Sequence, residues 1–112
     1  MTLNDILSMA LKSNTSDVHL KAGLPPVFRI DGNLRPVPKA PRLTAEQIFS
    51  MCDGLMNERQ RARFEEHHEV DLAYGIPGLG RFRVNVFSQR SSMSAVFRAI
   101  PVKILSLDDL EL

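Results

Sequence analysis

Apolar and polar residues alternate with two different periods along the chain, and each period predicts one kind of element. Near the start, apolar residues recur every three or four positions behind a possible N-cap, Thr2, which predicts an amphipathic helix over residues 3–12. Residues 17–21 and 27–37 alternate every second position, as strands do. The Asp-Gly-Asn sequence at 31–33 is a turn signal and predicts a β-hairpin there.

Two more helices are predicted in the middle of the chain, because two residue pairs have the spacing of capping boxes. These pairs are Thr44 with Gln47 and Asn57 with Gln60. With Gly54 as a helix stop, they predict helices over residues 45–53 and 57–66. Residues 36–42 contain three prolines and predict a surface connection.

The period returns to two from residue 69 to residue 100, with turn signals at Pro-Gly-Leu-Gly (77–80) and Gln-Arg-Ser-Ser (89–92). Hairpin turns join antiparallel strands, whereas parallel strands need long crossover connections. The sequence therefore predicts a single α+β domain over residues 1–112, with a mostly antiparallel, curved sheet flanked by helices.

The alternation also sorts side chains onto two faces of the sheet. Apolar residues at even positions from 70 to 86, and at odd positions from 93 to 99, are predicted to share the core face. Arg81, Arg83 and Arg98 then fall on the polar face. If the turn before Arg98 has an even number of residues, Arg83 and Arg98 lie opposite or diagonal to each other.

Like charges directly opposed on a sheet destabilise it by a few tenths to about 1 kcal/mol. An anion between two arginines reverses that effect, because guanidinium groups bind phosphate oxygens with two parallel hydrogen bonds. The ordinary alternative is that these arginines are solvated or paired with carboxylates, and Glu69 and Asp71 lie on the polar face of the neighbouring strand. Spacing alone leaves both interpretations open. Substitutions on such a face are expected to change stability by no more than about 0.5 kcal/mol.

Composition narrows the class of protein. The net charge is +1, from 14 basic and 13 acidic residues, and it favours neither a nucleic-acid nor a membrane partner. Cys52 is the single cysteine, so it cannot form an internal disulfide, and we expect a buried structural thiol in a reducing compartment. The chain has no apolar run of the roughly 18 residues that a membrane span needs, and its start lacks the pattern of a signal peptide. The expectation is a soluble intracellular domain.

Candidate catalytic and metal-binding residues are few. The sequence Glu-Glu-His-His-Glu at 65–69 offers zinc-ligand types, but adjacent side chains point in different directions, so a solvated helix end is predicted and no metal site. The G-x-x-x-x-G-K-[ST] phosphate loop is missing from the 112 residues. We therefore expect no catalytic residue in this chain and no ATP hydrolysis by the chain alone.

Three sequence blocks carry a family resemblance: SDVHLKAGLPPVFRIDGNLRPV, GLGRFRVNVFSQR and VFRAIPVKILSLDDLEL. Together they resemble the N-terminal domain of PilT-type type IV pilus retraction ATPases, from Leu3 to the last residue. The resemblance implies a PAS-like domain that is followed, in the whole protein, by a RecA-like ATPase domain absent from this chain. The SD-H-L block begins at Ser16, close to the start, which favours a PilT-like or PilU-like protein over an assembly ATPase.

The resemblance also implies a role for the arginines. The N-terminal domain in this family presents arginines to the nucleotide phosphates of a hexameric motor and couples ATP state to domain motion. Arg83 matches the arginine of the family's F-R-V-N segment and Arg98 that of its V-F-R segment, and Arg81 is a plausible third phosphate contact.

Further expectations concern cofactors and partners. The resemblance implies ATP and Mg2+ in the full-length protein, with none bound by this chain alone. It implies a homohexamer, contacts with the RecA-like domains of the same and neighbouring subunits, and a cytoplasmic location at the inner membrane through the pilus machinery, with no nucleic-acid partner.

Three alternatives remain open. One is a free-standing PAS-like sensor of a small molecule, which a large internal pocket would favour. Another is the N-terminal domain of a related secretion or pilus-assembly ATPase. The third is a nucleic-acid binder, which the near-neutral charge disfavours.

Overall fold

The computed structural model describes residues 2–101. The helices are α1 (Leu3–Lys12), α2 (Ala45–Asp53) and α3 (Glu58–His67). The strands are β1 (Asp17–Leu20), β2 (Val27–Ile30), β3 (Asn33–Pro36), β4 (Glu69–Ile76), β5 (Gly80–Gln89) and β6 (Ser92–Ile100). The predicted α+β class is confirmed, and the predicted helices and strands are present. The end of the third family block, residues 102–112, lies outside the described residues.

The strands form one six-stranded sheet in the order β3-β2-β1-β6-β5-β4. Every neighbouring pair is antiparallel. The hairpin turn signals predicted this for β2 with β3, β4 with β5 and β5 with β6. The first strand of the chain lies in the middle of the sheet, beside the last one. Residues far apart in sequence therefore become neighbours where β1 meets β6.

Two of the hairpins have two-residue turns in which both residues are left-handed. Asp31 and Gly32 join β2 to β3 with φ of 52° and 81°, and Arg90 and Ser91 join β5 to β6 with φ of 52° and 65°. Positive φ at both central positions is the type I′ geometry, whose twist matches that of the strands. The second turn has an even number of residues, which fixes the register that the arginine prediction needed.

Local sequence signals define the helix ends. The N-caps Thr2, Thr44 and Asn57 each form a capping box with the residue three positions later. Gly54 caps α2 as predicted, although its φ of −66° is right-handed. The left-handed helix end belongs to His68, with φ 60°, at the end of α3.

The core lies between one face of the sheet and the helices. Helices α1 and α2 place five fully buried side chains on it, whereas α3 has no fully buried residue. The five are Ile6, Leu7, Ala10, Ile48 and Cys52. Phe82 and Phe97, from neighbouring strands, pack edge to face there with ring centroids 6.3 Å apart. The predicted core face is confirmed, so the arginine face points away from the core.

The predicted surface connection over residues 36–42 is mostly exposed. Val37 is the exception, since it is buried and its backbone N–H donates to the carbonyl of Pro26. The connection is therefore fixed to the core at one point, while its prolines stay at the surface.

Candidate anion-binding site

Four charged residues form one row across the polar face of the sheet. Arg83 of β5 pairs in register with Arg98 of β6, which also pairs with Asp17 of β1, and Asp17 in turn pairs with Arg29 of β2. We call these four residues the arginine row. It has three positive charges and one negative charge. Arg83 and Arg98 are directly opposed, which is one of the two arrangements expected for an even turn.

Asp17 is held between two arginines of this row. Nε of Arg98 donates to Oδ1 of Asp17 at 3.1 Å, and Nε of Arg29 lies 3.2 Å from Oδ2. Nη1 of Arg29 also donates to the backbone carbonyl of Gly32, at 3.1 Å. The Asp17 side chain is only 12% exposed, whereas that of Arg98 is 72% exposed. The carboxylate is therefore shielded, while most of the Arg98 side chain faces solvent.

Arg83 and Arg98 border a common cleft of about 180 Å3. Its other lining residues are Asp71, Val84, Asn85 and Val96. A water molecule's share of liquid volume is about 30 Å3, so the cleft is several times larger than one water molecule. Among residues 2–101, Arg83 makes no ion pair, and Asp17 is the one carboxylate paired with Arg98. The cleft thus has two arginines at its border and a surplus of positive charge in the row beside it.

The carboxylates proposed as ordinary partners have another donor. Nδ2 of Asn85 donates to Glu69 and to Asp71, at 2.9 Å in each case. These two acidic residues are therefore tied to an amide and not to Arg83. The carboxylate that binds arginines of the row is Asp17, which the sequence pattern did not single out, because its partner Arg98 lies 81 positions away.

Arg81 occupies a separate place. It lies on the same face as Arg83, but it pairs in register with Gly75, and a Cβ added at Gly75 would lie 3.5 Å from Cγ of Arg81. Arg81 borders a neighbouring hollow of about 620 Å3 with residues 75–80. The structure brings Arg83 and Arg98 to one cleft and Arg81 to the next.

His19 lies beside the arginine row in β1, and its environment favours the neutral imidazole. Burial lowers the pKa of its imidazole below the usual 6.5, and the charge of Arg29 lowers it further, although Asp17 acts in the opposite direction. Its Nε2 atom is buried and has no hydrogen-bond partner within residues 2–101. The neutral ring adds no charge to the row.

The remaining candidates do not form a second polar site. Within residues 2–101, no group of three or more His, Cys, Asp or Glu side chains is placed to hold a metal. Cys52 is fully buried, as predicted, and burial raises the pKa of its thiol to about 12.

None of the helices in the described part of the chain is long and apolar enough to cross a membrane.

The hollow at the end of the sheet does not favour the small-molecule sensor. One hollow of about 610 Å3 lies at the end of the sheet, bordered by loop residues such as Asn14, Gly32 and Pro101. None of its lining residues belongs to the buried hydrophobic core. A ligand there would lie at the surface, whereas the sensor alternative requires a ligand inside the domain.

Comparison with known proteins shows which proteins this chain resembles. No family model matches it. It is 42% identical over 110 residues to the type IV pilus retraction ATPase PilT of Pseudomonas aeruginosa, covering 98% of this chain and 32% of that protein. It is 38% identical over 112 residues to the type IV pilus ATPase PilU of the same organism, covering 100% of this chain and 29% of PilU.

A solved structure gives the same result for the fold. The crystal structure of the pilus retraction motor PilT with bound ADP superposes with a TM-score of 0.86 at 39% identity, over 100% of this chain and 33% of that one. The chain spans about a third of the length of these relatives. In sequence and in fold, this chain corresponds to the N-terminal region of the PilT-type pilus retraction ATPases.

Proposed function

We propose that this chain is the N-terminal domain of a type IV pilus retraction ATPase and supplies Arg83 and Arg98 to the phosphates of its nucleotide. The observation that carries the proposal is the direct opposition of these arginines beside an open cleft, with Arg83 lacking an ion pair among residues 2–101. The similar PilT structure contains bound ADP. A phosphate between the two side chains turns an unfavourable pair into a binding site.

The residues of the row have distinct chemical roles in this proposal. Arg83, which makes no ion pair within residues 2–101, directs its guanidinium at phosphate oxygens. Arg98 uses Nε for Asp17, which leaves its two terminal nitrogens available for the same purpose. Positive charge delivered there offsets the charge that develops on a transferred phosphoryl group, without covalent chemistry by the protein. We include Arg81, in the neighbouring hollow, as a third contact to the phosphates.

The cofactors are ATP and Mg2+. The arginines are suited to the phosphates of ATP and form one half of the nucleotide site. The ATPase domain forms the other half. No group of three or more His, Cys, Asp or Glu side chains within residues 2–101 is placed to hold a metal, and we assign the Mg2+ ligands to the ATPase domain. When bound, Mg2+ supplies charge neutralisation at the phosphates.

The proposal extends to the assembly. A RecA-like ATPase domain follows this chain, and six full-length subunits form a ring in which each N-terminal domain contacts ATPase domains of its own and a neighbouring subunit. The ring works in the cytoplasm, against the pilus machinery of the inner membrane. Arginines that bind the γ-phosphate couple the angle of this domain to the nucleotide state.

The domain arrangement has a direct test. The DNA downstream of Leu112 should encode a phosphate-loop motif within about 25 to 35 residues, because a short linker and one strand precede that loop in a RecA-like domain. A stop codon directly after Leu112, or a different downstream domain, contradicts the proposal.

Substitution of the arginines tests their role. In the full-length protein, Arg83→Ala and Arg98→Ala should each lower ATP turnover by roughly a thousandfold, since arginines supplied to phosphoryl transfer contribute on that scale. Lysine should rescue only in part, because it keeps the charge and loses the planar fork. The matched control is Arg59→Ala, which removes an exposed arginine of α3 that has no ion pair within residues 2–101.

Two readouts make the outcome decisive. Size-exclusion chromatography reports the ring, and thermal melting reports the fraction folded. Full turnover by the alanine variants, or a loss that only follows the folded fraction, shows that the arginines do not act on the phosphates.

A further inference from the structure

Asp17 is the least exposed member of the arginine row, and its two carboxylate oxygens serve different partners. Oδ1 accepts from Nε of Arg98 at 3.1 Å, and Oδ2 lies 3.2 Å from Nε of Arg29. The side chain is 12% exposed. A shielded carboxylate between two arginines has little freedom to turn toward water.

Arg29, which contacts Asp17, is itself held by a hydrogen bond to a turn. Nη1 of Arg29 donates to the carbonyl of Gly32, in the two-residue turn between β2 and β3. The backbone N–H of Ser16 donates to the carbonyl of Arg29, and the N–H of Ala99 donates to the carbonyl of Ser16. Backbone hydrogen bonds therefore hold the strands that carry Arg29, Asp17 and Arg98 in one register.

The side of the guanidinium that Asp17 uses decides what Arg98 can still do. A guanidinium group has five N–H donors, one on Nε and four on the two terminal nitrogens. Asp17 engages the Nε donor, close to the strand. The terminal nitrogens are at the end of a side chain that is 72% exposed and that borders the cleft shared with Arg83. Asp17 and an anion in the cleft can thus bind Arg98 at the same time.

We propose that Asp17 is a positioning residue of the phosphate site: it holds Nε of Arg98 so that the terminal nitrogens face the cleft. The inference rests on the proposed role of Arg98. A long surface side chain loses rotamer freedom when it binds a ligand, and a side chain already ordered by a neighbour loses less. Asp17 also places a negative charge next to Arg98, which limits repulsion by Arg83.

The inference predicts a signal in this chain without any ATPase domain. In 15N relaxation of arginine side chains, the Nε–Hε group of Arg98 should be ordered in the unchanged chain and mobile in Asp17→Asn. The Nε–Hε group of Arg83, which has no ion pair within residues 2–101, should be mobile in both. Asp53→Asn is the matched control, because Asp53 accepts from Nε of Arg61 at 2.9 Å and lies outside the row.

The second readout is ATP turnover of the full-length protein. Asp17→Asn and Asp17→Ala should lower kcat by roughly tenfold to a hundredfold, because misplacing a group that contacts the transferred phosphate has effects of this size. In an Arg98→Ala background, the same substitutions should have no further effect, since residues that act through one another are not additive. Asp53→Ala should leave kcat unchanged in both backgrounds. A purely structural role of Asp17 would lower turnover by the same factor in both.

The outcomes separate the two proposals. If Nε–Hε of Arg98 is already mobile in the unchanged chain, or if Asp17 substitutions lower kcat equally with and without Arg98, Asp17 does not position Arg98. If Arg98→Ala leaves kcat unchanged, the phosphate role of Arg98 fails, and the relaxation data still decide whether Asp17 holds its side chain. If Asp17→Ala does not fold, Asp17→Asn, which keeps the size of the side chain and removes its charge, decides the case.

Discussion

The two central arginines should differ in their effect on the stability of this chain, and the difference can be worked out from their register. Arg83 and Arg98 are directly opposed on neighbouring strands. Either alanine substitution removes the same like-charge contact, worth a few tenths to about 1 kcal/mol. Either one also replaces arginine by alanine in a strand. These contributions cancel when the two variants are compared with each other.

The difference in unfolding free energy between the two variants then comes from the contact between Arg98 and Asp17. A hydrogen bond between charged groups contributes about 1.5–3 kcal/mol when it is shielded, and exposed ion pairs contribute about 0–1 kcal/mol. Arg98 is 72% exposed and Asp17 is 12% exposed, so we place this contact near the boundary, at about 1 kcal/mol. Asp17 keeps its contact with Arg29 in either variant, so no carboxylate is left buried alone.

The assay is urea unfolding of the 112-residue chain, followed by far-ultraviolet circular dichroism. We expect Arg83→Ala to change the free energy of unfolding by no more than about 0.5 kcal/mol, and Arg98→Ala to be less stable than Arg83→Ala by about 1 kcal/mol. The face pattern alone predicted no such difference. In 1 M salt the difference should shrink, because the pair is partly exposed. Equal stabilities in low salt, or a less stable Arg83→Ala, would refute the reasoning.

Further substitutions and conditions test the fold. Ser91→Gly should stabilise the chain by about 0.5–1 kcal/mol in urea unfolding, because φ is 65° there, and Gly32→Ala, at φ 81°, should destabilise it. Cys52 should resist a thiol reagent at pH 8 until the chain unfolds, since burial raises its pKa to about 12. Burial lowers the pKa of His19 in the folded chain, so the unfolded chain binds more protons as the pH falls. The free energy of unfolding should therefore decrease as the pH drops below about 6.5. Urea melts at pH 7.5 and 5 should show a weaker pH dependence for His19→Gln.

The local parts of the fold follow from short sequence signals. A capping box such as Thr44 with Gln47 spans four residues, and the Asp31-Gly32 turn carries its own left-handed preference, so both can be recognised without knowledge of the rest of the chain. The alternation of apolar residues likewise assigned Phe82 and Phe97 to the core, because a strand has one period whatever lies beside it.

The long-range parts could not be predicted in this way. No local signal places β1 between β2 and β6, and it is this placement that brings Asp17 to Arg98 across 81 positions. The pattern offered Glu69 as an ordinary partner for the arginines, but Asn85, in the neighbouring strand, binds that carboxylate. Arg81 shares the polar face with Arg83, yet its register partner Gly75 gives it a separate hollow. The strand face on which a residue lies and the period of the apolar pattern do not determine which side chains contact one another across the sheet.

The central claim is that Arg83 and Arg98 bind nucleotide phosphates in the full-length motor. The most direct measurement is a cryo-electron microscopy structure of the full-length ring with a non-hydrolysable ATP analogue. We predict that guanidinium nitrogens of Arg83 and Arg98 lie within about 3.2 Å of phosphate oxygens, and that Nε of Arg98 still contacts Asp17. Arginines that remain more than about 6 Å from every phosphate in all subunits, beyond hydrogen-bond reach, would contradict the account.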